Sequence, residues 1–165
     1  MTVNKNNIIS INKFKSNNAS TLSDDCKELI ITRNLDAIKT LVNNNPDDIL
    51  EIARLIKNII FSGYIDCLDW LLSEYEHILA LVNVELLDNV LMSSNVEMLE
   101  LILKKYYRFL GFYIIYAHSI DKCILRKDYE ILQILKKYDI QLPKERIIYV
   151  ATQINTLDEV TPYLF

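Results

Sequence analysis

Apolar residues recur along most of the chain at the three- and four-residue spacing of one α-helix face. The pattern is clearest in residues 65–72, where an apolar residue and an acid follow a turn at Gly63 and lead into apolar pairs. The same order occurs in five segments, which begin at Leu35, Ile65, Val96, Tyr129 and Leu157. The intervals between these starts are 30, 31, 33 and 28 residues, which is the spacing of a helix-pair repeat.

A shorter apolar stretch precedes each segment, and we interpret it as the first helix of the same pair. Near its end, each of the five stretches carries a pair of adjacent residues. The pairs are Leu29-Ile30, Ile59-Ile60, Val90-Leu91, Cys123-Ile124 and Ala151-Thr152. The two glycines and three prolines are too few for the turns of a sandwich or barrel. Because one helix pair cannot bury both of its faces, successive pairs must stack. The sequence therefore predicts an all-α chain, an α-solenoid of about five helix-pair repeats.

The domain boundaries follow from where this pattern starts. Residues 1–22 are rich in Asn, Ser and Lys and are predicted to be a flexible leader, followed by a repeat domain over residues 23–165. Ser23 is predicted to cap the first helix. Three further segments are predicted between the repeats: a polar connection over residues 73–81, a short helix over residues 85–92 and an aromatic connection over residues 106–113.

The period, the turn, the apolar-acid start and the Leu71-Leu72 pair together resemble the ankyrin repeat. The resemblance covers about residues 23–165, but no copy has the Thr-Pro-Leu-His opening, and Ile59-Ile60 and Val90-Leu91 stand where ankyrins have alanines. It implies a non-enzymatic protein that binds other proteins through loops and a concave helix face. The enrichment in Asn, Ile, Lys and Tyr resembles the composition of ankyrin-like proteins from large DNA viruses or AT-rich protists. The viral likeness implies a host regulatory or ubiquitin-pathway partner in the host cytoplasm.

Composition narrows the classes of function. The net charge of −4 and the pI near 5.2 argue against a nucleic-acid partner, which requires a broad basic face. The odd number of separated cysteines, Cys26, Cys67 and Cys123, predicts reduced core thiols rather than a disulfide scaffold or zinc site. The longest apolar run, residues 109–117, is about half a membrane span, and no signal peptide is recognisable, so we expect a soluble cytoplasmic protein without membrane contact.

No pattern of catalytic or ligand-binding residues is recognisable. His77 and His118 are isolated from nucleophiles and from metal ligands, and two glycines cannot build a phosphate-binding loop. The acid that begins each second helix is explained by the helix dipole. We therefore expect no catalytic residue, no cofactor and no metal.

Aromatic residues are the candidates for partner binding, because Trp, Tyr and Arg dominate binding hot spots. Trp70 lies between two residues of the buried stripe, and five aromatics and one Arg cluster near the third repeat. The candidate residues are Trp70, Tyr75, Tyr106, Tyr107, Arg108, Phe109, Phe112 and Tyr113. Two alternatives remain open: Trp70 packing against the next repeat, and the aromatic segment folding over an open groove.

The abrupt apolar end at residues 163–165 supports a second hypothesis of function, a structural protein that forms homo-oligomers through its repeat ends.

Overall fold

The computed structural model of the protein describes residues 21–110 and 117–164, without the side chains of residues 80–84, 107–110 and 117. Within these ranges the chain forms ten α-helices and a 3-10 turn at Glu76–Ile78, and no strand. The helices are α1 (Leu22–Ile31), α2 (Leu35–Asn43), α3 (Ile49–Ser62), α4 (Ile65–Glu74), α5 (Leu79–Ser93), α6 (Val96–Leu110), α7 (Ala117–Arg126), α8 (Tyr129–Lys137), α9 (Lys144–Gln153) and α10 (Leu157–Leu164). The all-α prediction is confirmed for the described residues. Residues 1–20 of the predicted leader lie outside the described ranges.

All five predicted segments begin where a helix begins, at the first residues of α2, α4, α6, α8 and α10. Each of these helices has its acid in the first turn, as the dipole favours. The fourth residue of each segment has no exposed surface: Ile38, Leu68, Leu99, Leu132 and Val160. The periodicity therefore predicted both where these helices begin and which face they bury.

A left-handed residue separates the two helices of every predicted pair. The residues are Arg33, Gly63, Ser94, Lys127 and Asn155, with φ angles of 52° to 67°. The N–H groups of Arg33 and Asn34 donate to the carbonyls of Ile30 and Leu29 at 3.1 and 2.9 Å, and the turns at residues 63, 127 and 155 repeat this arrangement. It is the Schellman motif, which satisfies the last carbonyls of a helix. At these four turns, the accepting carbonyls belong to the adjacent residue pairs recognised in the sequence.

Three predicted boundaries are wrong. The first helix is capped by Thr21, whose side chain accepts from the N–H of Asp24 at 3.3 Å, while Ser23 lies buried inside the helix. The connection predicted at residues 73–81 contains the 3-10 turn and the start of α5, because apolar residues from Leu79 onwards extend that helix. Residues 106–110 of the predicted aromatic connection belong to α6, which extends to Leu110.

The contacts group the chain into two compact units that divide after Tyr64. In the described part of the first unit, α1 packs against α2 and α3. Helices α1 and α3 run in the same direction. Ser23, near the start of α1, donates its N–H to Oε2 of Glu51 at 3.3 Å, and the hydroxyl of Tyr64 after α3 donates to the carbonyl of Arg33 after α1 at 2.8 Å. Aliphatic residues from the three helices fill the core: Leu29, Ile30, Ile38, Val42, Ile52, Leu55, Ile56, Ile59 and Ile60.

In the second unit, first helices pack on first helices and second helices on second helices. Helix α7 packs against α5 and α9, while α6 packs against α4 and α8, and α8 also packs against α10. Side chains also tie neighbouring layers together: Nζ of Lys137 donates to Oε1 of Glu100 at 3.2 Å, and Nζ of Lys127 donates to Oε1 of Glu159 at 3.0 Å. The fold thus places Trp70 on α4, in the first layer of second helices of this unit.

The three cysteines are core thiols, as predicted. Cys26, Cys67 and Cys123 are unbridged and have no exposed surface. Burial raises the pKa of the Cys26 and Cys123 thiols to about 12, and the nearby carboxylates of Asp25 and Asp128 add to the rise. Both groups are therefore protonated and unreactive in the folded protein.

Candidate interaction surface around Trp70

Three predicted site residues, Trp70, Tyr75 and Tyr106, lie around the second half of α4. The buried face of that helix is formed by Cys67, Leu68, Leu71 and Leu72. Because successive residues of a helix differ by about 100°, Trp70 lies at the border of this face and is partly exposed. Tyr75 and Tyr106 retain only 8% and 6% of their surface. Their rings are largely buried, so Trp70 is the most accessible of the three.

Trp70 is held by a second aromatic ring. Its ring centroid lies 6.3 Å from that of Tyr75, with an interplanar angle of 81°, which is the favoured edge-to-face geometry. The 3-10 turn after α4 then places His77 against the other side of Tyr75, at 6.1 Å between ring centroids. We call Trp70, Tyr75 and His77 the Trp70 cluster. The two outer rings, Trp70 and His77, are accessible, while the ring between them is buried.

The third predicted residue, Tyr106, anchors α6 to α4. Its hydroxyl lies 3.0 Å from Oγ of Ser73 and donates to Oδ1 of Asp69 at 3.2 Å. Nζ of Lys105 donates to the same carboxylate at 2.6 Å, and this bond raises the pKa of the lysine. Burial raises the pKa of the Tyr106 hydroxyl, so it remains a neutral hydrogen-bonding group. Asp69 is thereby fixed beside Trp70 by two groups from the next layer.

The other predicted residues fall where the structure gives no side chain. Tyr107, Arg108 and Phe109 belong to the helical backbone of α6, and their side chains lie outside the description. Phe112 and Tyr113 fall in residues 111–116, also outside the described ranges.

The geometry around Trp70 is suited to binding rather than to proton or group transfer. Its tyrosine hydroxyls are neutral, and Asp69 is bonded to Lys105 and Tyr106. Among residues 21–110 and 117–164, no three His, Cys, Asp or Glu side chains come together as a possible metal site. Rigid, partly exposed aromatic rings beside a fixed ion pair are typical of contact surfaces between proteins.

Sequence reasoning missed a second class of accessible residue. Large apolar side chains are exposed at the ends of several first helices: Ile31 (80%), Phe61 (51%) and Leu125 (53%). Each lies two residues before a left-handed turn residue, at the same place in its repeat. The signal was present, because positions 31, 61, 92 and 125 are all apolar and fall outside the buried stripe.

No described helix has both the length and the apolar character to cross a membrane. Comparison with known proteins found no matching family model, curated protein or solved structure. The ankyrin resemblance therefore remains a prediction that rests on the residues and motifs given above.

Proposed function

We propose that the protein is a non-enzymatic protein-protein interaction scaffold, an α-solenoid of about five degenerate ankyrin-like helix pairs. The observation that carries the binding function is Trp70, a partly exposed tryptophan fixed edge-on by the buried Tyr75 ring. A large aromatic ring that is already immobilised loses little conformational entropy on binding, which is the property of a hot-spot residue.

The repeat character of the proposal is supported by features that recur at equivalent places. The five predicted starts are helix starts, the five turns have a left-handed residue, and the same position of each second helix is buried. Helix pairs of this kind offer a rigid framework from which aromatic contacts can be presented.

The partner class follows from the same resemblance. If the chain comes from a large DNA virus, as its composition suggests, a regulatory or ubiquitin-pathway protein of the host is the expected partner. The accessible part of the Trp70 cluster would form its apolar contact, and the Asp69–Lys105 pair, at 2.6 Å, would lie at its polar rim.

The test compares wild-type protein with Trp70→Ala as baits in lysate, with Tyr149→Ala as the control for another exposed aromatic residue. We expect one or more proteins to be retained by the wild type and by the control, and to be lost from Trp70→Ala. Because Trp70 is the sole tryptophan, its emission should shift when a purified partner without tryptophan is added. Identical proteins on wild-type and Trp70→Ala baits, or no shift of emission, would contradict the proposal.

Self-assembly is a second candidate function. It is supported by α9, the first helix of the fifth pair, where Ile148 and Tyr149 are 37% and 57% exposed. Exposed apolar groups grouped on one helix favour association with another copy. Light scattering should then show a mass above that of the monomer, reduced by Tyr149→Asp. A monomer at all concentrations would exclude this function.

A further inference from the structure

The exposed face of α1 and α3 carries matched rows of side chains. The two helices run in the same direction, and their turn residues, Arg33 and Gly63, are joined by a hydrogen bond from the Arg33 guanidinium to the Gly63 carbonyl at 3.5 Å. Residues 30 apart therefore occupy equivalent positions. Ile31 matches Phe61, and both are exposed, at 80% and 51%. One turn earlier, the exposed Lys27 matches the exposed Lys57.

Cationic groups lie on both sides of the Ile31–Phe61 row. Lys57 is one helical turn before Phe61 and forms no ion pair with any residue that the structure describes. The Arg33 guanidinium, beyond the other end of the row, contacts the Gly63 carbonyl and lies 5.2 Å from the centre of the Tyr64 ring. Neither contact neutralises its charge. Lys27 is paired with Asp24 at 2.6 Å, so two cationic side chains remain, Lys57 and Arg33. The carboxylate of Glu28 on α1 offsets one of these two charges.

The equivalent face of the second unit lacks the two lysines. Its matching apolar row contains Met92 and Leu125. The positions of the two lysines are taken by Asp88, which is buried, and by Asp121, which is paired with Arg146 at 2.5 Å. Apolar residues therefore recur at equivalent places of the two faces, while the lysines one turn before them occur only in the first unit. Apolar contact alone would make the two faces equivalent, so the charge distinguishes their partners.

We infer that the α1–α3 face is a second interaction surface, separate from the Trp70 cluster, and that it binds an acidic amphipathic segment of a partner protein. Apolar side chains of that segment cover Ile31 and Phe61, and flanking Asp or Glu residues meet Lys57 and Arg33. Residues 1–20 of the chain itself are a poor occupant, because they contain Lys5, Lys13 and Lys15 and no acid.

The probe is a random peptide library displayed on phage and selected on the immobilised full chain. We expect the recovered peptides to combine aromatic or aliphatic residues with neighbouring Asp or Glu. In fluorescence anisotropy, Phe61→Ala should weaken their binding about tenfold or more, as for a hot-spot residue. Lys57→Glu should also weaken binding, and added salt should weaken the wild-type complex because both partners are charged.

The chain supplies matched controls. Leu125→Ala removes a side chain of nearly equal exposure from the equivalent row of the second unit, and Lys104→Glu reverses another exposed lysine. Neither should change peptide binding by more than about twofold, since surface substitutions away from a site are nearly neutral. Circular dichroism should confirm that Phe61→Ala folds, which its exposure of 51% makes the expected result.

Five results would overturn the inference. Peptides without acidic residues, or peptides insensitive to Phe61→Ala, would exclude this surface or this partner chemistry. Peptides that lose binding with Trp70→Ala instead would exclude it while supporting the proposed function. No binding peptide at all would count against both. Light scattering that shows a dimer abolished by Phe61→Ala would assign the surface to a second copy of the chain.

Discussion

Replacing Gly63 by alanine tests the turn on which the repeat depends. Gly63 has a φ of 67° and is the one glycine among the five turn residues. Its N–H donates to the carbonyl of Ile60 at 3.1 Å, and the N–H of Tyr64 donates to that of Ile59 at 3.2 Å. Alanine can keep both bonds only by accepting a left-handed backbone.

The expected loss can be worked out from two opposing effects. A Cβ atom in the left-handed region costs roughly 1–2 kcal/mol. Replacing glycine also restricts the unfolded chain, which returns about 0.4–1 kcal/mol. The difference predicts that Gly63→Ala lowers the free energy of unfolding by about 1 kcal/mol. Gly63→Asn should lose less, because asparagine tolerates this conformation, as Asn155 does at φ 56°.

Urea unfolding followed by far-ultraviolet circular dichroism measures these differences for the helices of the whole chain. Fluorescence of Trp70, in the second unit, shows whether that unit unfolds in the same transition as the helices. An alanine variant as stable as the wild type, or an asparagine variant less stable than the alanine variant, would refute the left-handed turn at residue 63.

Four other variants test the packing and a buried carboxylate of the fold. Tyr106→Phe should lower the free energy of unfolding by about 1 kcal/mol in urea, because the hydrogen bonds of the Tyr106 hydroxyl to Ser73 and Asp69 on α4 are lost. Leu99→Ala should cost about 2–5 kcal/mol in the same assay, since Leu99 has no exposed surface, whereas Leu125→Ala should cost below about 0.5 kcal/mol. Burial raises the pKa of Glu51, but bonds from Thr21, the Ser23 N–H and Arg54 outweigh it and hold that pKa below 4.5. Glu51 therefore stabilises the fold above about pH 4.5 and loses this effect as the pH falls, so Glu51→Gln should reduce the acid sensitivity of the thermal midpoint.

The predictable part of the fold was the part encoded locally. The second helices carry an acid as their second residue and bury their fourth residue, and both signals lie within one helical turn. The extent of α6 was not predictable in this way. Tyr106 is buried through Ser73 and Asp69, which lie 33 and 37 residues earlier in the chain. Only the packing of α6 on α4 makes that contact possible.

The candidate site was predicted in part for the same reason. The border position of Trp70 could be predicted from the helical period of α4. Its orientation depends on the turn that places Tyr75 against it, and on its own the sequence 73–81 resembled a polar connection. The exposed row of Ile31 and Phe61 was missed because an apolar residue in a helix is normally assigned to the core. Comparing equivalent positions across the repeats would have identified it.

The turn residues show how different side chains can close the same backbone turn. Glycine suits a left-handed turn because it has no Cβ, but it also offers no side chain to a neighbouring turn. At three of the other turns, the left-handed residue uses its side chain in this way: Arg33 donates to the Gly63 carbonyl, Ser94 donates to Asp128 at 2.6 Å, and Lys127 donates to Glu159. These contacts join layers that the Schellman bonds alone would leave unconnected. Since the Schellman bonds use only backbone atoms, any residue that adopts the left-handed conformation can close the turn, and its side chain is then available for a contact with the next layer.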